Sequence, residues 1–203
     1  EQQKTPLPGL LTSQVDLVAY SRQIIADWQQ IPEYSTVHIG FVTDVESFFI
    51  QTDVAKLGSI LNNLIANACK YNRPEGGVEL RLKGIGPDVK LVVRDTGIGI
   101  APEDLPYVFS KFYRSSLKEV SAVQGTGVGL YLVKSYCEQL GWSIDIASDQ
   151  KGTAVTLSWK HDHVNDKDAT DSIPVGGKRK LLIVEHNAEL ADFLRNAMQP
   201  HYD

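Results

Sequence analysis

Asn63 and Asn67 stand four residues apart, so on a helix their amides share one face, opposite a stripe formed by Leu57, Ile60, Leu61, Leu64, Ile65 and Ala68. Asparagine suits a helix interior poorly because its side chain competes for nearby backbone groups, and a pair at this spacing asks for a reason. Amide oxygens are neutral ligands for a hard cation such as Mg2+, which takes oxygen donors and bridges to phosphates. Two solvent-facing amides would show the same spacing. Lys70 and Tyr71 follow on the next turn. The first can meet phosphate as a point charge and the second can offer a ring face to a base; the alternatives are a surface lysine and a tyrosine at the edge of the core.

Asp95 ends the strand-like run VKLVVRD and is followed at once by TGIG. A carboxylate there can accept from an exocyclic amine while Gly97 and Gly99 let a flat ring lie against the backbone; an ordinary turn aspartate before glycine reads the same way. GTGVGL, residues 125–130, opens a helical pattern with three glycines. The first amides of a helix lack partners and carry the positive end of its dipole, which makes a seat for phosphate, although a flexible turn would look alike. Between the two glycine clusters lie the aromatic run VFSKFYR and about ten polar or small residues without a period. Taken together in this order, the elements point to a nucleotide site with a mobile lid.

The elements that must carry these residues alternate along the chain. A helical pattern starts after Ser13, a plausible cap, with Val15, Val18, Ala19, Arg22, Ile25, Ala26 and Trp28 at three- and four-residue intervals. TVHIGF and SFFIQ predict two strands joined by a turn at Thr43 and Asp44, and Asp53 predicts the cap of the asparagine-bearing helix, which ends near Asn72. VELRLKGI and VKLVVRD form a hairpin across GPD; VGLYLVKSYCEQL is a helix closed by Gly141; SIDIAS and TAVTLSWK form a last hairpin about Asp149 to Gly152. Hairpins alternating with helices predict an α/β (α+β) sandwich, with a mixed, mostly antiparallel sheet covered on one face by helices.

Composition narrows the classes of function. A net charge of −5 spread over both halves gives no basic surface for nucleic acid. The apolar runs fall far short of the roughly 20 residues of a membrane span, so a cytoplasmic domain is expected. Cys69 and Cys137 sit where helices want small apolar residues, as buried free thiols in a reducing compartment.

NNLIANACKYN, DTGIG, FSKFYR and GTGVGLYLVK resemble, in that order, the asparagine box, first glycine box, phenylalanine box and second glycine box of histidine kinases. The likeness spans residues 13–160, a whole catalytic and ATP-binding domain. It implies the Bergerat fold, shared with type II topoisomerase, mismatch-repair and heat-shock chaperone ATPases, and it implies ATP and Mg2+ as cofactors. Residue by residue, it implies Asn63 and Asn67 toward Mg2+ and phosphates, with Lys70 on phosphate completing the catalytic set. Tyr71 would lie against adenine, Asp95 would take the adenine amine with Gly97 and Gly99 beside it, and Thr153 would help hold that end. Arg114 would reach phosphate, while Gly125, Thr126, Gly127, Gly129 and Leu130 would meet phosphate and hinge the lid. In ATPases of this superfamily, and in related serine kinases, a glutamate one turn before the metal-binding asparagine is the general base. Asn63 fills that position here, and an amide cannot usefully accept a proton, which favours transfer to a histidine that is already nucleophilic.

None of His38, His161, His163, His186 and His201 precedes the domain in a helical box of that family, so the phosphoacceptor and the dimerising helices are expected upstream of this chain. Residues 1–12 read as a linker remnant after those helices and 161–179 as a linker in which His161 and His163 are solvated. KLLIVEHNAELADFLRNAM resembles the start of a response-regulator receiver domain, with Glu185 and His186 where receivers carry two acidic residues, so 180–203 is expected to begin one. The resulting expectation is the ATP-binding domain of a hybrid histidine kinase. The fragment itself would be monomeric and its membrane-anchored parent a homodimer. The alternatives are a non-catalytic nucleotide sensor and an ATPase of the same fold.

Overall fold

The computed structural model describes residues 11–85, 88–115 and 125–160. The elements in chain order are β1 (Thr12–Asp16), α1 (Leu17–Gln29), a 3-10 turn (Pro32–Tyr34), β2 (His38–Thr43), β3 (Phe49–Asp53), α2 (Val54–Lys70), β4 (Gly77–Ile85) and β5 (Asp88–Asp95). A second 3-10 turn (Leu105–Tyr107), α3 (Gly129–Leu140), β6 (Ser143–Asp149) and β7 (Gly152–Lys160) complete them. The expected linker at 161–179 and receiver start at 180–203 lie outside the described residues, as do 1–10 of the expected N-terminal linker.

Five strands form one sheet in the order β2-β4-β5-β7-β6, antiparallel except for the β2–β4 pair. Alternation along β4, β5 and β7 turns Leu80, Leu82, Leu91 and Leu157 inward, where they are essentially inaccessible to water. They meet Leu57, Ile60, Leu61 and Ile65 of α2, so the stripe read from the sequence is the face that packs. The other face of α2 is left for Asn63 and Asn67. Cys69 and Cys137 are buried free thiols whose pKa values burial pushes up to about 12, which keeps both unreactive.

Two local expectations give way. β2 and β3 do not form a hairpin: β2 pairs in parallel with β4, and β3 pairs with β1 in a separate two-stranded sheet. Ser13 is no cap, because it lies in β1. The first helix starts at Leu17 on Asp16, whose Oδ1 accepts from the backbone N–H of Val18 at 3.0 Å and of Phe48 at 3.1 Å. That shift also turns the helix: Leu17, Val18, Ser21, Ile24 and Ile25 are buried, whereas Ala19, Arg22 and Ala26 are exposed. One carboxylate thus ends β1, starts α1 and fixes the approach to β3.

Asp53 caps α2 as the sequence predicts, accepting from the Lys56 N–H at 3.1 Å and from its ammonium at 2.9 Å. Burial alone would raise the Asp53 pKa, but Lys56 and the Ala55 amide together hold it below its usual range. The cap therefore stabilises above the unfolded-state pKa of about 3.9, and the stabilisation is lost as pH falls through the lower folded-state value. Asp53→Ala is expected to cost about 1–2 kcal/mol at neutral pH in urea unfolding, and the difference from wild type should shrink in acid as the carboxyl takes up its proton.

Candidate functional site

The C-terminal end of α2, the turn after β5, the N-terminus of α3 and the β6–β7 hairpin surround a cavity of about 260 Å3. Asn63, Asn67, Lys70, Tyr71, Asp95, Gly99, Arg114, Gly125, Thr126, Gly127, Gly129, Leu130 and Thr153 all line it. Gly97 does not. It is buried, and an added Cβ there would strike the Tyr71 carbonyl oxygen. The backbone of the first glycine box lies against the end of α2 at this point, and the Ile98 N–H donates to the same carbonyl at 3.0 Å.

Asp95 is held from two sides. Its Oδ1 accepts from the Gly97 N–H at 2.8 Å and the Thr153 N–H at 3.1 Å. Desolvation by burial raises its pKa above the ordinary aspartate value, although both hydrogen bonds pull the other way. Among the described residues no group donates to Oδ2, so the carboxylate keeps one acceptor for a ligand.

Ser148 belongs to this cluster and was not among the expected residues. Its hydroxyl lies 2.8 Å from the Ile100 N, 3.0 Å from the Gly152 O and 2.9 Å from Thr153 Oγ1. It ties the first glycine box to the β6–β7 turn. The signal for it was the two-residue period of β6: Ile144, Ile146 and Ser148 face the same way, so a hydroxyl at that position points inward. The apolar walls beside Asp95, Val93, Ile98, Ile146 and Val155, were also not singled out.

At the second polar cluster the Asn63 amide nitrogen donates to the Ser59 carbonyl of its own helix at 2.8 Å, which turns Oδ1 away from that turn. The oxygen faces the N-terminus of α3, where a Cβ on Gly129 would lie 2.8 Å from it. The Asn67 amide nitrogen lies 3.9 Å from the same point. A side chain at position 129 would therefore fill the space between the two asparagines and the helix start. The electron-pair donors that these two side chains can offer are neutral amide oxygens. Such a set fits Mg2+ when phosphates supply the negative charge.

The residues on either side of 116–124 are bonded to each other. Gly127, at φ +71°, accepts from the Phe112 N–H at 2.9 Å, and the Arg114 guanidinium donates to the Gly125 carbonyl at 3.0 Å. Tyr113 donates to Asp104 at 2.7 Å, and Ser115 and Tyr113 together hold the Asp104 carboxyl below its usual pKa. The aromatic run and the second glycine box are thus bonded to each other across the 116–124 segment, which lies outside the described residues.

The family described as Histidine kinase-, DNA gyrase B-, and HSP90-like ATPase matches residues 52–163, which takes in both clusters. The chain belongs to this family. Sensor protein SrrB of Staphylococcus aureus is 38% identical over 106 residues, 52% of this chain and 18% of SrrB, so the chain spans under a fifth of that relative. Among solved structures, the mycobacterial sensor histidine kinase MprB aligns with a TM-score of 0.63 at 25% identity, over 74% of this chain and 97% of that one. ShkA, solved full-length in complex with AMPPNP, aligns at 0.63 and 26% identity over 76% of this chain and 32% of ShkA. The catalytic domain of ThkA, at 21% identity and a TM-score of 0.64, shares the fold over 73% of this chain and 95% of its own. The architecture is the Bergerat fold of histidine kinase catalytic domains. Among the described residues, no helix is long and apolar enough to cross a membrane, and no group of three or more His, Cys, Asp or Glu is placed to hold a metal.

Proposed function

We propose that this chain binds ATP with Mg2+ and, within a longer sensor histidine kinase, donates the γ-phosphoryl group to a histidine on upstream dimerisation helices. The observation that carries the reading is Asp95: a partly desolvated carboxylate, fixed through Oδ1 and open at Oδ2, placed among apolar walls where an amino-purine would be gripped. Asp95 and Thr153 would hold the base, and Tyr71 would cover it. Lys70 and Arg114 would meet phosphate together with the amides that start α3. Asn63 and Asn67 would hold Mg2+, which would supply compensation for the negative charge of the transferring group. By holding that ion, Asn63 and Asn67 would place the phosphates relative to the acceptor.

The chemistry at Asn63 favours transfer over hydrolysis. Its amide cannot serve as general base, and of the cavity's carboxylates Asp95 is assigned to the base through its open Oδ2, while Asp104 accepts from Tyr113. That supports a nucleophile already competent when neutral, as imidazole is. ThkA has been solved in complex with the response regulator TrrA; the parent of this chain is proposed to pass phosphate to a receiver attached after residue 179.

Because the metal ligands are neutral, Mg2+ alone is expected to give no measurable heat in titration calorimetry, and a clear signal once ATP is present. The function itself is tested by incubating the chain with γ-labelled ATP, alone and with separately made upstream helices. No stable label on the chain alone and acid-labile label on the helices is the expected result. Steady phosphate release would mark an ATPase instead, and binding without transfer a nucleotide sensor.

A further inference from the structure

We propose that Ser148 sets the base preference of the cavity by fixing the direction of the Thr153 hydroxyl proton, so that Thr153 faces the base only as an acceptor. A serine hydroxyl has one proton to give and two lone pairs to receive. Of its three partners, the Ile100 N–H can only donate and the Gly152 carbonyl can only accept. The third, Thr153 Oγ1, can do either. One arrangement makes all three contacts hydrogen bonds: Ser148 donates to Gly152 and accepts from both Ile100 and Thr153. The Thr153 proton is then committed away from the cavity, and its lone pairs are what a ligand meets.

The neighbouring donors are committed as well. The Gly97 and Thr153 N–H groups serve Asp95, the Ile98 N–H serves the Tyr71 carbonyl, and the Ile100 N–H serves Ser148. The corner formed by Asp95 and Thr153 therefore offers acceptors and asks for donors. A 6-amino purine supplies them, directly or through one water, whereas a 6-oxo purine presents an acceptor to acceptors. Removing the Ser148 hydroxyl frees the Thr153 proton to turn toward the base and donate to a 6-oxo group. Ser148 touches no base itself; it is a positioning residue that acts through Thr153.

The inference rests on the cavity being an adenine nucleotide site, and the test separates the two. Affinities for ATP and inosine triphosphate are measured by calorimetry on the whole chain, for wild type, Ser148→Ala, Thr153→Val and the double variant. The readout is the ratio of the two dissociation constants, inosine triphosphate over ATP. Ser148→Ala is expected to lower that ratio about fivefold. Thr153→Val should also lower it, and Ser148→Ala added to Thr153→Val should change it no further, because the hydroxyl through which Ser148 acts is gone. Weaker binding of both nucleotides by the same factor, or an equal shift of the ratio in both backgrounds, would overturn the proposal. Should Ser148→Ala fail to fold, Ser148→Cys keeps the bulk with a much weaker hydrogen-bonding group, and an unchanged ratio there overturns it equally. Failure of wild type to bind ATP would bring down the nucleotide reading and this inference with it.

Discussion

Asp95→Asn is expected to lower ATP affinity by about a hundredfold while leaving the unfolding temperature unchanged or slightly raised. The two effects have one origin. The variant keeps an Oδ1 that accepts from Gly97 and Thr153, so the turn after β5 holds its shape. At the other end it replaces a carboxylate oxygen by an amide NH2, which confronts the exocyclic amine with a donor. A hydrogen bond to a charged group contributes about 1.5–3 kcal/mol, and a mismatched pair adds to the loss. Stability moves the other way because burial raises the Asp95 pKa in the folded state. A raised carboxylate binds more protons folded than unfolded, so its ionisation reduces stability as pH rises from the unfolded-state value through the folded one. At neutral pH the neutral amide is spared that cost. Calorimetric titration with a nonhydrolysable ATP analogue, beside thermal unfolding of the apo chain, measures both. Equal affinities would mean that Asp95 does not hold the base.

The second large effect is expected at the other cluster. Asn67→Ala should reduce phosphoryl transfer to added dimerisation helices by at least about a hundredfold, since a cation-coordinating oxygen contributes most as charge moves in the transition state. ATP binding without Mg2+ should change by less than about twofold, because Asn67 meets the metal and not the base. The side chain is half-buried and makes no hydrogen bond among the described residues, so its loss leaves no polar group stranded in α2. Transfer at the wild-type rate with Mg2+ present would remove Asn67 from the catalytic set. A parallel fall in Mg2+-free ATP affinity would place it on the nucleotide instead.

What could be read in advance depended on whether the deciding contacts were local. The α2 stripe from Leu57 to Ala68 repeats over several turns and is buried as its period predicts. The β4–β5 and β6–β7 hairpins close over short turns, so pattern and pairing agree. β1 was missed because TSQVD is polar and buries only Val15; it becomes a strand by pairing with β3, more than thirty residues on. The β2–β3 hairpin failed for the same reason: β2 finds β4 on the far side of α2, a partner no local turn chemistry reveals.

The site divides similarly. Each glycine box, the asparagines and Asp95 carry their chemistry in residue type and spacing, and the fold gathers them around one cavity. Gly97 and Gly99 look equivalent as letters, yet Gly99 lines the cavity at φ +75° while Gly97 packs behind it and orients Asp95. Ser148 lies far along the chain from the first glycine box, and its importance exists only once β6 and β7 bring it to Ile100 and Thr153.

One cavity is proposed to take the base at Asp95 and the phosphates, with Mg2+, at Asn63 and Asn67. The most direct test is titration of the chain with a nonhydrolysable ATP analogue, with and without Mg2+, followed by competition with ATP and with GTP. A single saturable site is expected, tightened by Mg2+, emptied by ATP and left occupied by GTP at the same concentration. Absence of binding, or displacement by GTP as effective as by ATP, would contradict it.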